Sequence, residues 1–580
     1  SDAISSVAYA TQEILFILIL AGTSATTYAL PIAIGIVSLL GIVVVSYRQT
    51  IKAYPGGGGA YIVAHENLGA AAGLIAASAL LIDYVLTVSV SIAAGMDALA
   101  SLNEAFRPVA VEMAVGLVAV VALINLRGMK ESGTIFAIPT YAFIGTLATA
   151  ILVVLVKILF HGGNPLVAGA PRDHVTAVQG VTLFLILRAF ANGCTAMTGV
   201  EAVSNGVQAF KSPAPENANK TLLAMALILG SLFLGVTLIA RHLGFVPSEN
   251  NTIPSQLGAE AFGAGSPLFA FLQIMTAGIL VLAANTAFAD FPRLAAILAR
   301  DGYLPRVFHA RGNRLVFSYG IIVLSALASV LIIVFNAQTT RLIPLYALGV
   351  FIGFTLSQAG MVRHWRHERG ESWVRKAITN GVGATATLIV AIVILLAKFT
   401  EGAWLITIVL PVIAFATWLV GRFYGRVRRN LFVTPEAVFD LKPAGTSYVP
   451  VVVPIEDINL ATVMALGSAC ERTRDVRAVH VMVDPDHPST VPERWASQFP
   501  NIRLVVIDSP FRTVADPIAN YVEELAHTPP YEVQVLLPVL EVRHRYERPL
   551  VNQPLRQQAD ERLGDRHRDV RRLGLEHPEV

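Results

Sequence analysis

Residues 188–206 read RAFANGCTAMTGVEAVSNG, directly after the apolar run QGVTLFLIL. Together they are long enough to cross a bilayer, which takes about 20 residues of helix. Yet the middle of the stretch holds two glycines, a cysteine, two threonines and Glu201. Backbone that breaks inside a membrane leaves N–H and C=O groups unpaired, and is tolerated only where protein or a water-filled cavity satisfies them. A carboxylate at that depth costs about 2.5–3.5 kcal/mol even on the lenient insertion scale, so it faces a partner or a cavity. The stretch therefore predicts an interrupted helix whose carbonyls, threonine oxygens and Glu201 build a polar site.

The rest of the chain fits that setting. Of its 580 residues 54% are hydrophobic and 14% charged, against about 45–50% and 25% in soluble domains. The net charge of +3 gives no sign of a nucleic-acid partner. Two cysteines, Cys194 and Cys470, cannot make a disulfide framework. There is no signal-peptide pattern, and a span begins at once after Ser1, so the natural N-terminus is expected upstream.

Apolar windows of spanning length fall near 4–22, 29–46, 70–100, 108–126, 133–160, 179–206, 220–240, 266–290, 318–336, 342–362, 377–397 and 403–421. The expectation is an α-helical polytopic membrane protein with twelve transmembrane helices. With both termini in the cytoplasm, the inner loops carry Arg48, Lys52, Arg127, Lys130, Lys211, Lys220, Arg293, Arg300, Arg306, Arg311, Arg314, Arg363, Arg366, Arg369, Arg375 and Lys376. The outer side holds Arg107, Lys157, Arg172, Arg241, Arg341 and Lys398. Sixteen against six sets the orientation.

After about residue 430 the pattern changes. VPVVVPI (449–455), VRAVHVMVD (476–484), IRLVVIDS (502–509) and YEVQVLLPVL (531–540) read as buried strands alternating with helical segments. That predicts a cytoplasmic parallel α/β domain over 448–540, joined by a linker at 426–447 to a transporter domain over 1–425. Residues 541–580 are rich in charge and poorer in apolar residues than the rest of the chain, and read as a frayed helix or disordered tail.

Polar groups inside the spans are few. The first span holds Asp2 at its start, then Tyr9 and Glu13. In the third, Asp83, Thr87 and Ser91 recur every four residues, on one helical face. The sixth holds Arg188, Thr195, Thr198 and Glu201; the tenth holds Tyr346. Hydroxyls in spanning helices also bond their own backbone or glue helices together. Tyr9 and Tyr346 also suit an interfacial belt, and Arg188 a structural ion pair. Asp83 and Glu201, flanked by apolar sequence on both sides, point to function.

Breaks at SSVAYAT and NGCTAMTG would each open a five-helix repeat, spans 1–5 (about 1–160) and 6–10 (179–362). An odd number of spans inverts the second copy. The oxygens so gathered suit a hard cation. Burial favours a neutral carboxyl, so one carboxylate could carry a proton instead.

DAISSVAYATQEIL, SYRQTIKAYPGGGGAYIVAHENLG, LLIDYVLTVSVSI, ANGCTAMTGVEAVSNG, VLAANTAFADFPRLA and RLIPLYALGVFIGFTLSQAGM occur in this order over residues 1–361. In sequence and spacing the chain resembles, to about residue 540, the KimA-type potassium-uptake permease branch of the amino acid–polyamine–organocation superfamily. The resemblance implies a LeuT-like 5+5 inverted repeat and a plasma-membrane potassium/proton symporter. It implies potassium ions and protons as substrates, no cofactor, and a homodimer through the cytoplasmic domains. It also implies an ion site of Tyr9, Asp83, Thr87, Ser91, Thr198, Glu201 and Tyr346, with potassium held by Tyr9, Asp83, Thr87, Thr198 and Glu201, and an inner gate at Asp2.

The sequence departs from that pattern in having Arg188 where a lysine is expected, an added Asp290, and no final strand after residue 540. Relatives of the C-terminal domain bind cyclic di-AMP; this one has no Gly-rich phosphate loop, so a nucleotide-binding and a purely dimerising domain both stand. The alternative function is an amino acid permease on the same fold, which SSVAYAT disfavours for want of a glycine. A non-transporting sensor has no use for the intramembrane carboxylates. An enzyme is not expected: no nucleophile–base pair, metal-ligand cluster or Walker loop is evident.

Overall fold

Apolar runs too long to end within a bilayer become the longest helices. The computed structural model describes residues 2–57, 59–128, 133–161, 176–248, 251–309, 317–434, 436–482, 489–509 and 514–537. The chain divides into two compact units, Ser1–Ile297 with Ser318–Trp418 and Leu298–Phe317 with Leu419–Val580.

The helices of the first unit are α1 (Asp2–Ser5), α2 (Val7–Leu18), α3 (Ala29–Ala53), α4 (Gly59–Leu68), α5 (Ala70–Leu102), α6 (Ala110–Leu126), α7 (Gly133–His161), α8 (Leu183–Gly193), α9 (Ala202–Asn205), α10 (Ala214–Leu243), α11 (Ile253–Phe262), α12 (Pro267–Arg300), α13 (Ser318–Val334), α14 (Thr339–Glu368), α15 (Trp373–Lys398) and α16 (Ala403–Asn430), the ends of α12 and α16 entering the second unit. Among the described residues ten helices are long and apolar enough to cross a membrane, and Val7–Ala21 and Ser318–Val334 are shorter apolar helices. Helix α5, with 33 residues, is about 50 Å long and exceeds one crossing. In their apolar windows α5 is 94% buried and α14 78%, whereas α6 and α16 are 22% buried. Helices α5 and α14 are therefore central, and the apolar outer faces of α6 and α16 suit lipid.

Three helices fall where the sequence suggested only connections. Helix α4 occupies what reads as the Pro-Gly-Gly loop at 54–69: the glycines end at Gly59, and good helix formers continue to Leu68. Gly59 has φ +55°, and a Cβ there would collide with the Asn205 side chain, so the glycine signature seats the end of α9 against this loop. Helix α11 starts on a Thr252 side-chain cap, 3.2 Å from Ser255 N, and Lys157 Nζ donates to its Glu260 carbonyl at 2.7 Å. The third, Val491–Gln498, lies in the second unit.

That unit carries β1 (Val451–Ile455), α17 (Leu460–Arg472), β2 (Val476–Met482), α18 (Val491–Gln498), β3 (Arg503–Asp508), α19 (Ala515–Ala526) and β4 (Gln534–Val535). The strands are all parallel in the order β3-β2-β1-β4, with Val451 opposite Val476. Alternate residues of β1 feed two cores. Val451, Val453 and Ile455 pack with Leu466, Trp495 and Phe499; Val452 packs with Val479, Ile518 and Val522. The expectation of a buried third strand fails: among the described residues β3 pairs with β2 alone, and Val506 is 40% exposed. Burial pushes the Cys470 thiol up to about 11, which keeps it protonated. The last residues of the predicted fourth strand (538–540), the tail at 541–580, and Lys130, Arg172, Arg311 and Arg314 lie outside the described residues.

Asn459 caps α17, its Oδ1 accepting from Thr462 N at 3.0 Å. Asn459→Ala should lower the stability of this unit by about 1 kcal/mol, read as an earlier step in thermal melting of the full-length protein.

Candidate functional site

The sixth span is broken where its sequence says it should be. Helix α8 ends at Gly193, a single 3-10 turn covers Cys194–Met197, and Thr198 is extended at φ −65°, ψ 147°. Gly199 follows with φ +80°, and α9 resumes just after Glu201. A Cβ on Gly199 would lie 2.6 Å from Asp2 Cγ and 2.9 Å from Ala3 N, so the break rests directly on the first span.

The first span is interrupted less than the sequence suggested. Helices α1 and α2 are separated by Ser6 alone, which keeps right-handed backbone at φ −62°, ψ −21°. With no glycine in SSVAYAT the chain has no low-cost way to turn away. Ser6 Oγ lies 2.6 Å from the Ala3 carbonyl oxygen and 2.9 Å from that of Ala196, tying this joint to the unwound turn.

Around the break the seven predicted ion-site residues are each no more than 5% exposed. Thr87 on α5 and Tyr346 on α14 share a hydrogen bond of 2.8 Å. The Thr198 hydroxyl is within reach of both the Tyr9 and the Tyr346 hydroxyls, and itself donates to Thr195 O at 2.9 Å. The carboxyl groups of Asp83 and Glu201 lie side by side, close enough to share a hydrogen bond. Asp83 Oδ1 and Glu201 Oε2 have no hydrogen-bond partner among the described residues. A buried oxygen left so costs about 1–3 kcal/mol unless something binds it. Asp2 accepts from Thr286 Oγ1 on α12 at 3.3 Å, beneath the break and beside Gly199. Ser91 is buried one turn beyond Thr87, and no hydrogen bond joins it to the other six among the described residues.

The donor set is two carboxyls, the four neutral hydroxyls of Tyr9, Thr87, Thr198 and Tyr346, and the carbonyls of the broken turn. No cluster of three or more His, Cys, Asp or Glu side chains gathers anywhere among the described residues. Such chemistry fits a weakly polarising cation, which needs many oxygens and little charge, better than a transition metal.

Other polar residues at this level were missed from sequence. The Tyr47 hydroxyl on α3 lies in the field of Glu201 and against Ser357 of α14. Asn192 donates its Nδ2 to Glu13 Oε2 at 3.0 Å. A single tyrosine, serine or asparagine in an apolar run carries no sign of which neighbour it will meet. Arg188 takes the structural role open to it, an ion pair with Glu401, which Lys398 joins at 3.3 Å.

Known proteins resemble this chain over most of its length. The family described as "Amino acid permease" matches residues 1–420, and "KimA potassium transporter C-terminal domain" matches residues 447–563, beyond the domain end at 540 expected from sequence. The chain is 41% identical over 559 residues to "Potassium transporter KimA" of Bacillus subtilis (strain 168), covering 95% of this chain and 90% of that protein. It is 21% identical over 344 residues to "Low-affinity putrescine importer PlaP" of Escherichia coli (strain K12), covering 56% and 71%. The solved structure of an Eremococcus coleocola manganese transporter mutant aligns at 13% identity and TM-score 0.35, over 73% of this chain and 95% of its own.

Proposed function

The chain belongs to the amino acid permease family and, within it, to the KimA group of transporters; on that premise we propose that it imports potassium by proton symport. It is a multi-pass membrane transporter and not an enzyme. The observation that carries the reading is the meeting of Asp83 and Glu201 with the hydroxyls of Tyr9, Thr87, Thr198 and Tyr346 at one helix break. Two carboxyl groups side by side share a hydrogen bond only when one of them holds a proton. Potassium arriving between Tyr9, Asp83, Thr87, Thr198 and Glu201 would exchange its hydration shell for these oxygens, with Ser91 and Tyr346 completing the surround. The proton rides on the carboxyl pair.

The ten long helices, with Val7–Ala21 and Ser318–Val334, are assigned to twelve crossings. Helices α1–α7 and α8–α14 form the two inverted repeats, and alternating access rocks one helix bundle against the other around the site. Both termini are placed in the cytoplasm and the protein in the plasma membrane, with Asp2 as inner gate. The C-terminal unit is assigned to homodimerisation, with cyclic di-AMP as candidate inhibitor; both rest on the resemblance to KimA-type permeases.

An amino acid substrate is less well supported. Its carboxylate needs exposed N–H groups at the start of a half-helix, and the right-handed backbone at Ser6 offers no such opening.

Reconstituted protein should take up rubidium-86 or potassium, and collapse of the proton gradient should slow uptake. A rate indifferent to that gradient would make the protein a uniporter, and uptake of labelled amino acids without potassium would remove the proposal. Tyr346→Phe deletes the hydroxyl bonded to Thr87. Losing about 1–1.5 kcal/mol should raise the KM for potassium about tenfold.

A further inference from the structure

Glu13 takes no part in the site above, yet among the described residues it is one of the least exposed carboxylates, at 1%. It follows Tyr9 by four residues, so it stands on the same face of α2, about 6 Å further along the axis and away from Asp2. Its carboxylate accepts from Asn192 Nδ2 at 3.0 Å. Among the described residues no Lys, Arg or His nitrogen lies within 4.0 Å of it. The charged groups acting on it are Lys398, Asp97 and Glu401. Lys398 is the only cation of the three, and it is committed elsewhere: it pairs with Glu401 at 3.3 Å, where Arg188 also binds. Asp97 accepts from Thr339 Oγ1 at 2.7 Å. Beside Glu13, Asn192 is 3% exposed, and its Oδ1 has no hydrogen-bond partner among the described residues.

A buried carboxylate without a counter-ion of its own, next to a free amide oxygen, is a place for a monovalent cation. We propose that Glu13 and Asn192 form a second alkali-cation site, a transit site that the ion occupies on its way between the outer side and Tyr9. Glu13 supplies the charge and Asn192 Oδ1 a neutral oxygen. This rests on the potassium-import reading and adds to it a second stop with different ligands.

The test is rubidium-86 uptake by the full-length protein in proteoliposomes, with rate measured against external concentration. Glu13→Gln keeps the shape and the bond from Asn192 with the amide suitably turned, but removes the charge. It should raise KM about tenfold and leave the maximal rate within about twofold, because ions at saturating concentration still reach the inner site. An unchanged KM would mean that Glu13 is a neutral structural acid and would overturn the site, as would a fall in maximal rate alone. Glu13→Asp should recover most of the affinity. Should Glu13→Gln melt well below the wild type, Asn192→Ala decides, with a KM about threefold higher expected and an unchanged value overturning the proposal. Failure of the import reading looks different: the wild-type protein itself would take up no rubidium.

Discussion

Glu201→Gln and Asp83→Asn should each abolish growth of a potassium-import-deficient strain at micromolar potassium. Each variant keeps side-chain size and removes one of two carboxyls that lie side by side with one oxygen apiece unpartnered. A contact to a charged group is worth about 1.5–3 kcal/mol, so loss of the ligand alone should lower uptake at limiting potassium about 10- to 100-fold. The loss has two sources. The ion loses a charged ligand where only neutral hydroxyls remain, and the pair can no longer pass between sharing a proton and releasing it. Rubidium-86 uptake in proteoliposomes checks the first, and the response of any residual uptake to an imposed pH gradient checks the second. If both variants still rescue growth, the site is elsewhere.

Gly199→Ala should be as damaging through an unrelated cause. At φ +80° a side chain costs about 1–2 kcal/mol in the left-handed region before any contact is considered. Its Cβ would also fall 2.6 Å from Asp2 Cγ and 2.9 Å from Ala3 N, so α1 has to move. That displaces both the Asp2 carboxylate and the joint at Ser6, whose hydroxyl reaches the Ala196 carbonyl oxygen. Uptake should fall below detection, and thermal unfolding of the detergent-solubilised protein should come several degrees earlier. A Gly199→Ala protein with wild-type uptake would show that the break does not need its close contact with α1. Glu201→Gln, by contrast, should melt close to the wild type, which separates loss of ligand from loss of fold.

The two effects differ in how far they can be read from sequence. Glycine, threonine and glutamate inside an apolar run mark the break at 198–201 locally, because a bilayer penalises every unpaired backbone group and every lone charge. By the same logic Asp83 and Glu201 stand out without reference to any other part of the chain. The interruption at SSVAYAT is smaller than its sequence suggests. Serines tolerate right-handed backbone, and without glycine the joint reduces to Ser6 alone. Helix α4 was hidden by the glycines before it, and α11 lies in a stretch of mixed polarity with no amphipathic pattern long enough to stand out.

What the sequence determines by itself is the membrane class, the succession of apolar spans, the place of the break and a short list of polar residues. These follow from length, hydropathy and local backbone preference, which are properties of contiguous residues. Tertiary structure alone decides which of those residues meet. Thr87 and Tyr346 are 259 positions apart and 2.8 Å from each other. Arg188 ends on Glu401, and Lys398 joins the same carboxylate, so Glu13 is left buried with no cation of its own among the described residues. The physical reason is that a helix fixes the spacing of its side chains but not its rotation or its neighbours. Those are set by packing across the whole bundle, and a counter-ion is assigned only when every competing carboxylate has taken its place.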